Sequence, residues 1–346
     1  MKKCKGCGVE MQNIDNKALG YTPDLEKDYC MRCFRLTHYN DAMIDTREMF
    51  NEDPLYKIAL EKEKALIVYV IDILSYSAFL NTMPLRNYKN HPFVLLINKI
   101  DLLPKNANFE KIEKRIINDL QKEMNGLDLK AVLLSRKNDP YFKELFFETL
   151  DEIGIKEVIF AGSFNAGKST LLNNLSSSKT FTSSSYPGTT LDYNEITIDD
   201  YTFYDSPGSL DKHNFLMNVP YEYLVALSPQ KCLKPAVYQL YEPQSYIIDD
   251  LLRLDVDTHS NSSIVFYIGA DLPLHRTKKE KADAYIFNHH DEFKYHIDNK
   301  VEYHFNNIKR LDFEIDGFGF VTLKDIKEAT FYLPEGTAIY PRKVLL

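Results

Sequence analysis

A glycine-containing run near the middle of the chain has the pattern of a phosphate-binding loop. Gly162-Ser-Phe-Asn-Ala-Gly-Lys-Ser169 matches G-x-x-x-x-G-K-[ST] and lies between an apolar run and a helix-like run. In such loops backbone N–H groups close on phosphate oxygens, Lys168 can reach the β and γ phosphates, and the Ser169 hydroxyl can bind Mg2+. The competing interpretation is an ordinary glycine turn, which the flanking runs disfavour. The nucleotide-binding residues predicted here are Gly162, Asn165, Ala166, Gly167, Lys168, Ser169 and Thr170.

A second motif can recognise a base. In Asn98-Lys99-Ile100-Asp101, the final carboxylate can accept hydrogen bonds from N1–H and the exocyclic amine of guanine, and adenine lacks both donors in that arrangement. A site with such buried groups can reject the wrong base by roughly 10⁴-fold. Alone, this tetrapeptide is a common strand-end turn, but together with a phosphate loop it favours guanine binding. Ser135 and Arg136, just past another apolar run, can lay their backbone against the same base.

Two further segments can serve the metal and the γ-phosphate. Asp205-Ser-Pro-Gly208 follows a strand-like run, so Asp205 can hold the Mg2+ shell and the Gly208 amide can sense the γ-phosphate. Its competing interpretation is a Pro-Gly turn. Tyr186-Pro-Gly-Thr-Thr190 follows a serine-rich stretch, and Thr190 is a candidate second Mg2+ ligand in a loop that GTP would order.

Four of the five cysteines form two C-x2-C pairs near the N-terminus. Cys4 and Cys7 are separated from Cys30 and Cys33 by 22 residues, slightly more than is common in tetrahedral Cys4 zinc sites. One metal can therefore close the intervening loop. A pair of redox dithiols is the alternative, which we disfavour because no thioredoxin-like βαβ pattern surrounds either pair. Cys232 stands alone and is interpreted as a buried apolar residue.

The elements that must position these motifs alternate along the chain. Buried parallel strands are predicted over residues 65–72, 93–101, 131–135 and 157–161, and helices over 45–64, 109–124, 141–153 and 170–175. This alternation predicts a doubly wound α/β P-loop domain, whose strand ends are where ligands bind. We expect a zinc-binding module over residues 1–45, without a sustained helix, and a GTPase domain over 46–215. A mixed α+β C-terminal domain with short strands is expected over 216–346, with a turn at Gly317 feeding a strand.

Composition limits the remaining possibilities. The 346 residues suffice for two or three domains, and the net charge of −8 argues against nonspecific polyanion binding by the whole molecule. No secretory signal or membrane-spanning run is recognisable, so we expect a cytoplasmic protein without stable membrane association. His275-Arg-Thr-Lys-Lys-Glu-Lys281 is either a phosphate-contacting patch or solvated charge on a surface helix.

The order of the motifs is unusual. In most GTPases the phosphate loop comes first and the base-reading motif comes late, but here Asn98 to Asp101 precede Gly162 to Ser169. Circular permutation is tolerated when the joined ends were close in space. The chain leaving Gly208 runs directly into the C-terminal domain, so loss of the γ-phosphate could reposition that domain.

This combination resembles the circularly permuted YqeH-type GTPases, which act in assembly of the small ribosomal subunit. The resemblance rests on both cysteine pairs, the permuted motifs and the Leu274-His-Arg-Thr277 stretch. It implies a partner in the small ribosomal subunit, either rRNA or ribosomal proteins. It also implies that Asn165 helps to bind K+ and that turnover is slow, because Ser209 stands where other GTPases have a water-orienting Gln. The sequence departs from the family after Asp72, where a second acidic residue is more usual.

Together these features predict a GTP-hydrolysing switch protein that uses GTP, Mg2+, Zn2+ and K+. The residues predicted to serve hydrolysis are Lys168, Thr190, Gly208 and Asn165. The alternatives are a nucleotide-stabilised RNA-binding scaffold without significant hydrolysis, and a GTPase that sorts another cargo.

Overall fold

The computed structural model describes residues 2–39, 45, 54–176, 191–209, 211–269 and 272–346. The chain forms two compact units, one made of Met1–Ile100 with Glu113–Asp211 and the other of Asp101–Ile112 with Lys212–Leu346. Thr190 and the rest of its motif lie outside the described residues.

The first unit contains the predicted nucleotide-binding sheet. In the part of the chain that the structure describes, the sheet has six strands in the order β3-β2-β1-β4-β6-β5. All neighbours are parallel except β5, which runs antiparallel to β6. This arrangement confirms the predicted circularly permuted α/β P-loop fold. The strands are β1 (Leu66–Asp72), β2 (Pro92–Asn98), β3 (Asp128–Leu134), β4 (Glu157–Gly162), β5 (Asn194–Ile198) and β6 (Tyr201–Asp205).

Helices connect these strands and the remainder of the chain. Those in the described residues are α1 (Met31–Tyr39), α2 (Pro54–Glu61), α3 (Tyr76–Thr82), α4 (Phe109–Glu123), α5 (Phe142–Ile153), α6 (Lys168–Leu175), α7 (Leu224–Leu227) and α8 (Ala282–His289). No helix within the described ranges is long and apolar enough to cross a membrane.

Burial explains why the central strands form. Every residue of β1 is buried, as expected of a β-branched run covered on both faces. Phe146 of α5 packs against Phe160 and Phe203 of the sheet and fixes that helix in place. The predicted strand over 93–101 ends earlier, at Asn98, because Lys99 adopts a left-handed φ of 60° and the chain continues into the 3-10 turn Ile100–Leu102.

The N-terminal cysteine region differs from expectation in one respect. It was predicted to lack a sustained helix, yet α1 begins directly after Cys30. The Phe34 N–H donates to the Cys30 carbonyl at 2.9 Å, so the second cysteine pair spans the first turn of the helix.

The second unit is an antiparallel sheet rather than a set of scattered short strands. Its order in the described residues is β10-β8-β9-β12-β11-β13, with β7 also paired to β9. The strands are β7 (Ala236–Leu240), β8 (Gln244–Ile248), β9 (Leu252–Ile268), β10 (Leu274–Lys278), β11 (Lys300–Ile315), β12 (Gly319–Pro334) and β13 (Ile339–Arg342). Three of them are 16 or 17 residues long. Their polar and apolar residues alternate on a two-faced sheet, which obscured their length in the sequence. Gly317 lies in the turn between β11 and β12, with a φ of 74°, as predicted.

The basic run His275–Lys281 does not lie on a surface helix. Its first part belongs to β10, Lys279–Lys281 form a 3-10 turn, and α8 starts only at Ala282. Arg276 donates to Gln244 at 3.0 Å, and Lys279 pairs with Asp257 at 3.1 Å. Lys278 also lies 3.4 Å from Glu242, so two of the four cations in this run, Lys278 and Lys279, are paired with carboxylates inside the second unit.

Cys232 is only partly buried. Its thiol donates to the Leu103 carbonyl at 3.2 Å, so it is a hydrogen-bonding residue rather than the purely apolar one expected from the sequence.

Candidate nucleotide site and cysteine cluster

The carboxyl ends of the parallel strands bring the separated motifs to one edge of the sheet. Asp72 pairs with Asn98 across β1 and β2, Gly162 pairs with Val70, and Asp205 pairs with Phe160. Ligands of open α/β sheets bind at this edge, outside the carboxyl ends of the strands. The permuted chain thus assembles the edge from separate segments, of which the base-reading and phosphate-loop residues Asn98 and Ala166 are 68 positions apart.

The phosphate loop can be built only with glycine at two positions. Gly162 has a φ of 146°, and a Cβ there would lie 1.9 Å from the Val70 carbonyl oxygen. Gly167 has a φ of 88°, and its Cβ would lie 2.6 Å from the Asn98 amide nitrogen. The loop then enters α6 with its backbone N–H groups unobstructed by side chains at these positions.

The base-reading motif is joined to the phosphate loop by two side chains. The Asn98 amide donates to the Ala166 carbonyl at 2.8 Å, and the Lys99 ammonium donates to the Asn165 carbonyl at 2.6 Å. Lys99 and Asn165 both have left-handed backbones, with φ of 60° and 57°. Both strained positions belong to this junction, and Asp101 follows in the 3-10 turn after β2.

Asp72 holds the lysine of this junction. Its carboxylate accepts from the Lys99 ammonium at 2.8 Å and from the Leu74 N–H at 2.9 Å, and its side chain is 7% exposed. The sequence alone did not assign a role to Asp72. The strand register explains its contact with Lys99, because Asp72 is the residue of β1 that lies directly beside Asn98.

Ser135 contributes through its backbone, whereas Arg136 has a side-chain contact elsewhere. The Ser135 N–H donates to the Ile97 carbonyl at 2.8 Å, and its carbonyl accepts from the Ile100 N–H at 3.2 Å. The Arg136 side chain turns away to pair with Asp139 at 3.1 Å. This segment therefore supports the end of β2.

Lys168 lies deep inside the loop. Its ammonium donates to the carbonyls of Gly162 and Ser163, both at 3.0 Å. Burial lowers the pKa of Lys168 to about 8; the Asp205 carboxylate opposes this change and the Lys99 charge adds to it. An anion in the loop would favour the charged form and raise this pKa. Ser169 is buried beside it, whereas Thr170 is exposed on α6.

The segment after β6 closes on the phosphate loop. Asp205 is fully buried, and a Cβ at Gly208 would lie 3.1 Å from the Lys168 ammonium. The Phe164 N–H donates to the Ser209 carbonyl at 2.9 Å, and the Ser209 N–H donates to the Gly162 carbonyl at 3.0 Å. The segment predicted to sense the γ-phosphate is therefore hydrogen-bonded to the loop.

The four N-terminal cysteines form one cluster. Their sulfur atoms lie within 4.8 Å of one another, all four side chains are buried, and none is in a disulfide. Tetrahedral zinc with Zn–S bonds of about 2.3 Å requires sulfur separations of about 3.8 Å. The Cys7 and Cys30 sulfurs are 3.9 Å apart, and the Cys30 N–H points to the Cys4 sulfur at 3.3 Å. The cluster fits Zn2+, which when bound would crosslink the two ends of the module.

Two family models match separate parts of the chain. Residues 157–238 match a model described as a 50S ribosome-binding GTPase, and residues 261–345 match one described as YqeH-like, C-terminal. The first match covers the phosphate loop and Asp205, and the second covers most of the antiparallel sheet.

Relatives extend the similarity over the whole chain. The Bacillus subtilis (strain 168) protein named "Uncharacterized protein YqeH" is 33% identical over 368 residues, which cover 99% of each chain. The Arabidopsis thaliana "NO-associated protein 1, chloroplastic/mitochondrial" is 28% identical over 67% of this chain and 47% of its own length. The "tRNA modification GTPase MnmE" of Borreliella afzelii (strain PKo) is 32% identical over 38% of this chain and 29% of its own. Membership in a GTPase family implies GTP or GDP and Mg2+ as ligands. With its permuted P-loop sheet, its buried cysteine cluster and this full-length similarity, the chain belongs to the YqeH-type GTPases.

Proposed function

We propose that this GTPase is a cytoplasmic switch protein that acts in assembly of the small ribosomal subunit. The nucleotide-binding part of this proposal is supported by the contact between the two motifs, in which Asn98 and Lys99 donate to the Ala166 and Asn165 carbonyls. Neither motif alone requires a nucleotide, but their contact supports one ligand that spans base and phosphates.

Individual residues would divide the work. Asp101 would accept from guanine, with Ser135 and Arg136 beside it, and Lys168 would bind phosphates. Mg2+ would be held by Ser169, Thr190 and Asp205. Asn165 would help to bind K+, and the Gly208 amide would sense the γ-phosphate. The left-handed backbone of Asn165 supports its assignment to K+. The burial of Asp205 supports its assignment to Mg2+.

We also assign one function to each of the three proposed domains. Residues 1–45 would bind Zn2+ through the cysteine cluster, residues 46–215 would bind and hydrolyse GTP, and residues 216–346 would contact RNA or protein. The second unit resumes at Lys212, four residues after Gly208. This short connection supports coupling of nucleotide state to the C-terminal part of the chain.

Base recognition is tested by Asp101→Asn in equilibrium binding. We expect the preference for GTP over ATP to fall by at least 10²-fold, because the amide cannot accept from both guanine donors. Asp128→Asn, at an exposed carboxylate that starts β3, is the matched control and should keep the preference. An unchanged preference in Asp101→Asn would refute the base assignment.

The ribosomal part is tested by co-sedimentation with purified small and large subunits in GTP and in GDP. We expect nucleotide-dependent binding to the small subunit. The description of the matched family model, which refers to 50S, makes the large subunit the necessary comparison. Binding only to the large subunit, or to neither, would refute the assignment.

A second candidate is an RNA-binding scaffold without significant hydrolysis. It is favoured by Ser209, whose hydroxyl lies 3.1 Å from the Tyr69 hydroxyl and donates to the Gly162 carbonyl, so it does not orient a water as a Gln can. Single-turnover hydrolysis with Mg2+ and K+, with and without ribosomal subunits, separates the two candidates. A rate at background in every condition would support the scaffold.

A further inference from the structure

The cysteine cluster is attached to the strand that lies beside Asp205. The Cys7 carbonyl accepts two hydrogen bonds, from the Leu191 N–H at 2.9 Å and the Asp192 N–H at 3.0 Å. Both donors lie just before β5. Because the carbonyl and the sulfur belong to the same residue, any movement of Cys7 in the cluster also moves these bonds.

The contact is tightly packed. Gly8 has a φ of 81°, and a Cβ there would lie 2.4 Å from the Asp192 carbonyl oxygen and 3.2 Å from the Asn194 side-chain oxygen. Leu191 packs against the cysteines. Lys3 pairs with Asp192 at 2.8 Å, but both side chains are about 40% exposed, so this ion pair contributes little. Shape and backbone hydrogen bonds hold the module here.

Asn194 connects this contact to the nucleotide site. It is the first residue of β5, and its partner across the antiparallel pair is Asp205. Side chains of directly opposed residues share one face, with Cβ atoms about 4.5–5.5 Å apart. The Asn194 amide nitrogen is buried and has no hydrogen-bond partner among the described residues. A buried amide donor is thus available next to the carboxylate assigned to the Mg2+ shell.

We propose that Asn194 is a positioning residue for Asp205, and that the metal-loaded cysteine cluster holds Asn194 in place. Binding of Zn2+ at the cluster and of Mg2+-nucleotide at the loop then strengthen each other. Such coupling is reciprocal, so each ligand raises the affinity of the other by the same factor. This inference rests on the proposed role of Asp205 in Mg2+ binding.

The first experiment compares the full chain with and without Zn2+. Fluorescent GDP is titrated in excess Mg2+ and in metal-depleted buffer without chelator, and Zn2+ content is measured for each sample. In the Zn2+-loaded chain we expect Mg2+ to tighten GDP binding. After Zn2+ removal this Mg2+-dependent increase should shrink at least fivefold, while Mg2+-free affinity stays the same. Zn2+ affinity, measured by competition with a chromophoric chelator, should rise by the same factor when Mg2+-GDP is present.

Variants separate positioning from metal binding. Gly8→Ala is compared with Gly126→Ala, whose φ of 85° imposes the same backbone strain but whose Cβ would meet nothing within 4 Å. Asn194→Leu keeps the side-chain volume and loses the amide donor, with Thr197→Val on the same strand as its control. We expect Gly8→Ala and Asn194→Leu to lose the Mg2+-dependent increase and the two controls to keep it. Asn194→Leu should still bind one Zn2+.

The outcomes distinguish this inference from the proposed function. The coupling is overturned if Mg2+ increases the affinity for GDP equally with and without Zn2+, or equally in Asn194→Leu and wild type. Either result leaves the GTPase assignment intact. No Mg2+-dependent increase in the Zn2+-loaded wild type refutes the Asp205 assignment itself. If Gly8→Ala fails to retain Zn2+, Asn194→Leu decides the question.

Discussion

At the scale of single residues, the site depends on a partly buried lysine, Lys99, and a buried lysine, Lys168, which are held differently. Lys99 is paired with the Asp72 carboxylate, whereas Lys168 donates to backbone carbonyls that carry no formal charge. The pKa of Lys168 is accordingly lowered to about 8, with burial as the main cause. Lys99 thus joins two motifs, and Lys168 is positioned to bind an anion.

The lowered pKa of Lys168 predicts how nucleotide affinity changes with pH. Phosphate favours the ammonium, so the pKa in the complex lies above that of the free site. Affinity should therefore be complete well below pH 8 and fall above it, with Kd rising up to about tenfold per pH unit. Equilibrium binding of GDP from about pH 7 to pH 9 measures this slope. Lys168→Arg should give a flat profile, because a guanidinium stays charged over this range. A flat wild-type profile would contradict the argument.

Loss of the Asp72 charge should weaken nucleotide binding. In Asp72→Asn the amide can still accept from the Leu74 N–H, but Lys99 loses its carboxylate. Hydrogen bonds to charged groups contribute about 1.5–3 kcal/mol, so we expect GDP affinity to fall about tenfold or more. Asp128→Asn is the control, since its pair with Lys130 is exposed. Equal effects of the two substitutions on GDP affinity would contradict the role of Asp72.

At the scale of elements, the sequence and the structure agree where strands are buried on both faces. Continuous apolar runs such as Leu66–Asp72 predict buried strands, and the ends of these strands could be predicted to within a few residues. The long strands β9, β11 and β12 were not foreseen because their two faces differ and their polar residues resemble loops. The Asp72–Lys99 pair and the Cys7–Asp192 contact were also missed. Both depend on register between distant segments, which local patterns do not encode.

The turn between the long strands β11 and β12 allows a prediction about stability. Gly317 and Gly154 have nearly equal φ, 74° and 75°, but a Cβ at Gly317 would lie 2.4 Å from the Asn214 side chain, whereas nothing lies near Gly154. Alanine at a left-handed position costs about 1–2 kcal/mol.

Gly317→Ala should cost about 1 kcal/mol more than Gly154→Ala, because Asn214 must also release the Leu216 N–H that it caps. Denaturant unfolding followed separately for each unit by hydrogen exchange provides the measurement. Equal losses in the two variants would show that the Asn214 contact relaxes without cost.

At the scale of the whole molecule, the second unit includes residues from the middle of the chain. Asp101–Ile112 belong with Lys212–Leu346, and the Leu233 N–H donates to the Leu102 carbonyl at 2.7 Å. The turn that carries Asp101 is therefore anchored by residues that come more than 120 positions later. No local sequence pattern indicated this grouping, because it is set by tertiary contacts alone.

Removal of the later residues should impair base selection more than phosphate binding. A fragment of residues 1–211 keeps the phosphate loop but loses the anchors of Leu102 and Leu103. We expect its discrimination between GTP and ATP, measured by competition binding, to fall below that of the full chain. Leu233→Pro in the full chain removes the N–H donor to the Leu102 carbonyl, leaves the thiol donor to Leu103 in place, and should give a smaller loss in the same direction. Unchanged discrimination in both proteins would contradict the anchoring.

The docking of the cysteine module on the start of β5 also has a consequence for biosynthesis. Lys3 and Asp192 are 189 residues apart, and at about 5–20 residues per second the ribosome needs roughly 10–40 s to make the second after the first. During this interval the nascent module has no docking surface. It must persist on its own internal bonds, such as those from the Gly8 N–H to the Cys4 carbonyl and from the Cys30 N–H to the Cys4 sulfur. Early metal capture would therefore protect the emerging chain until the rest of its sheet is translated.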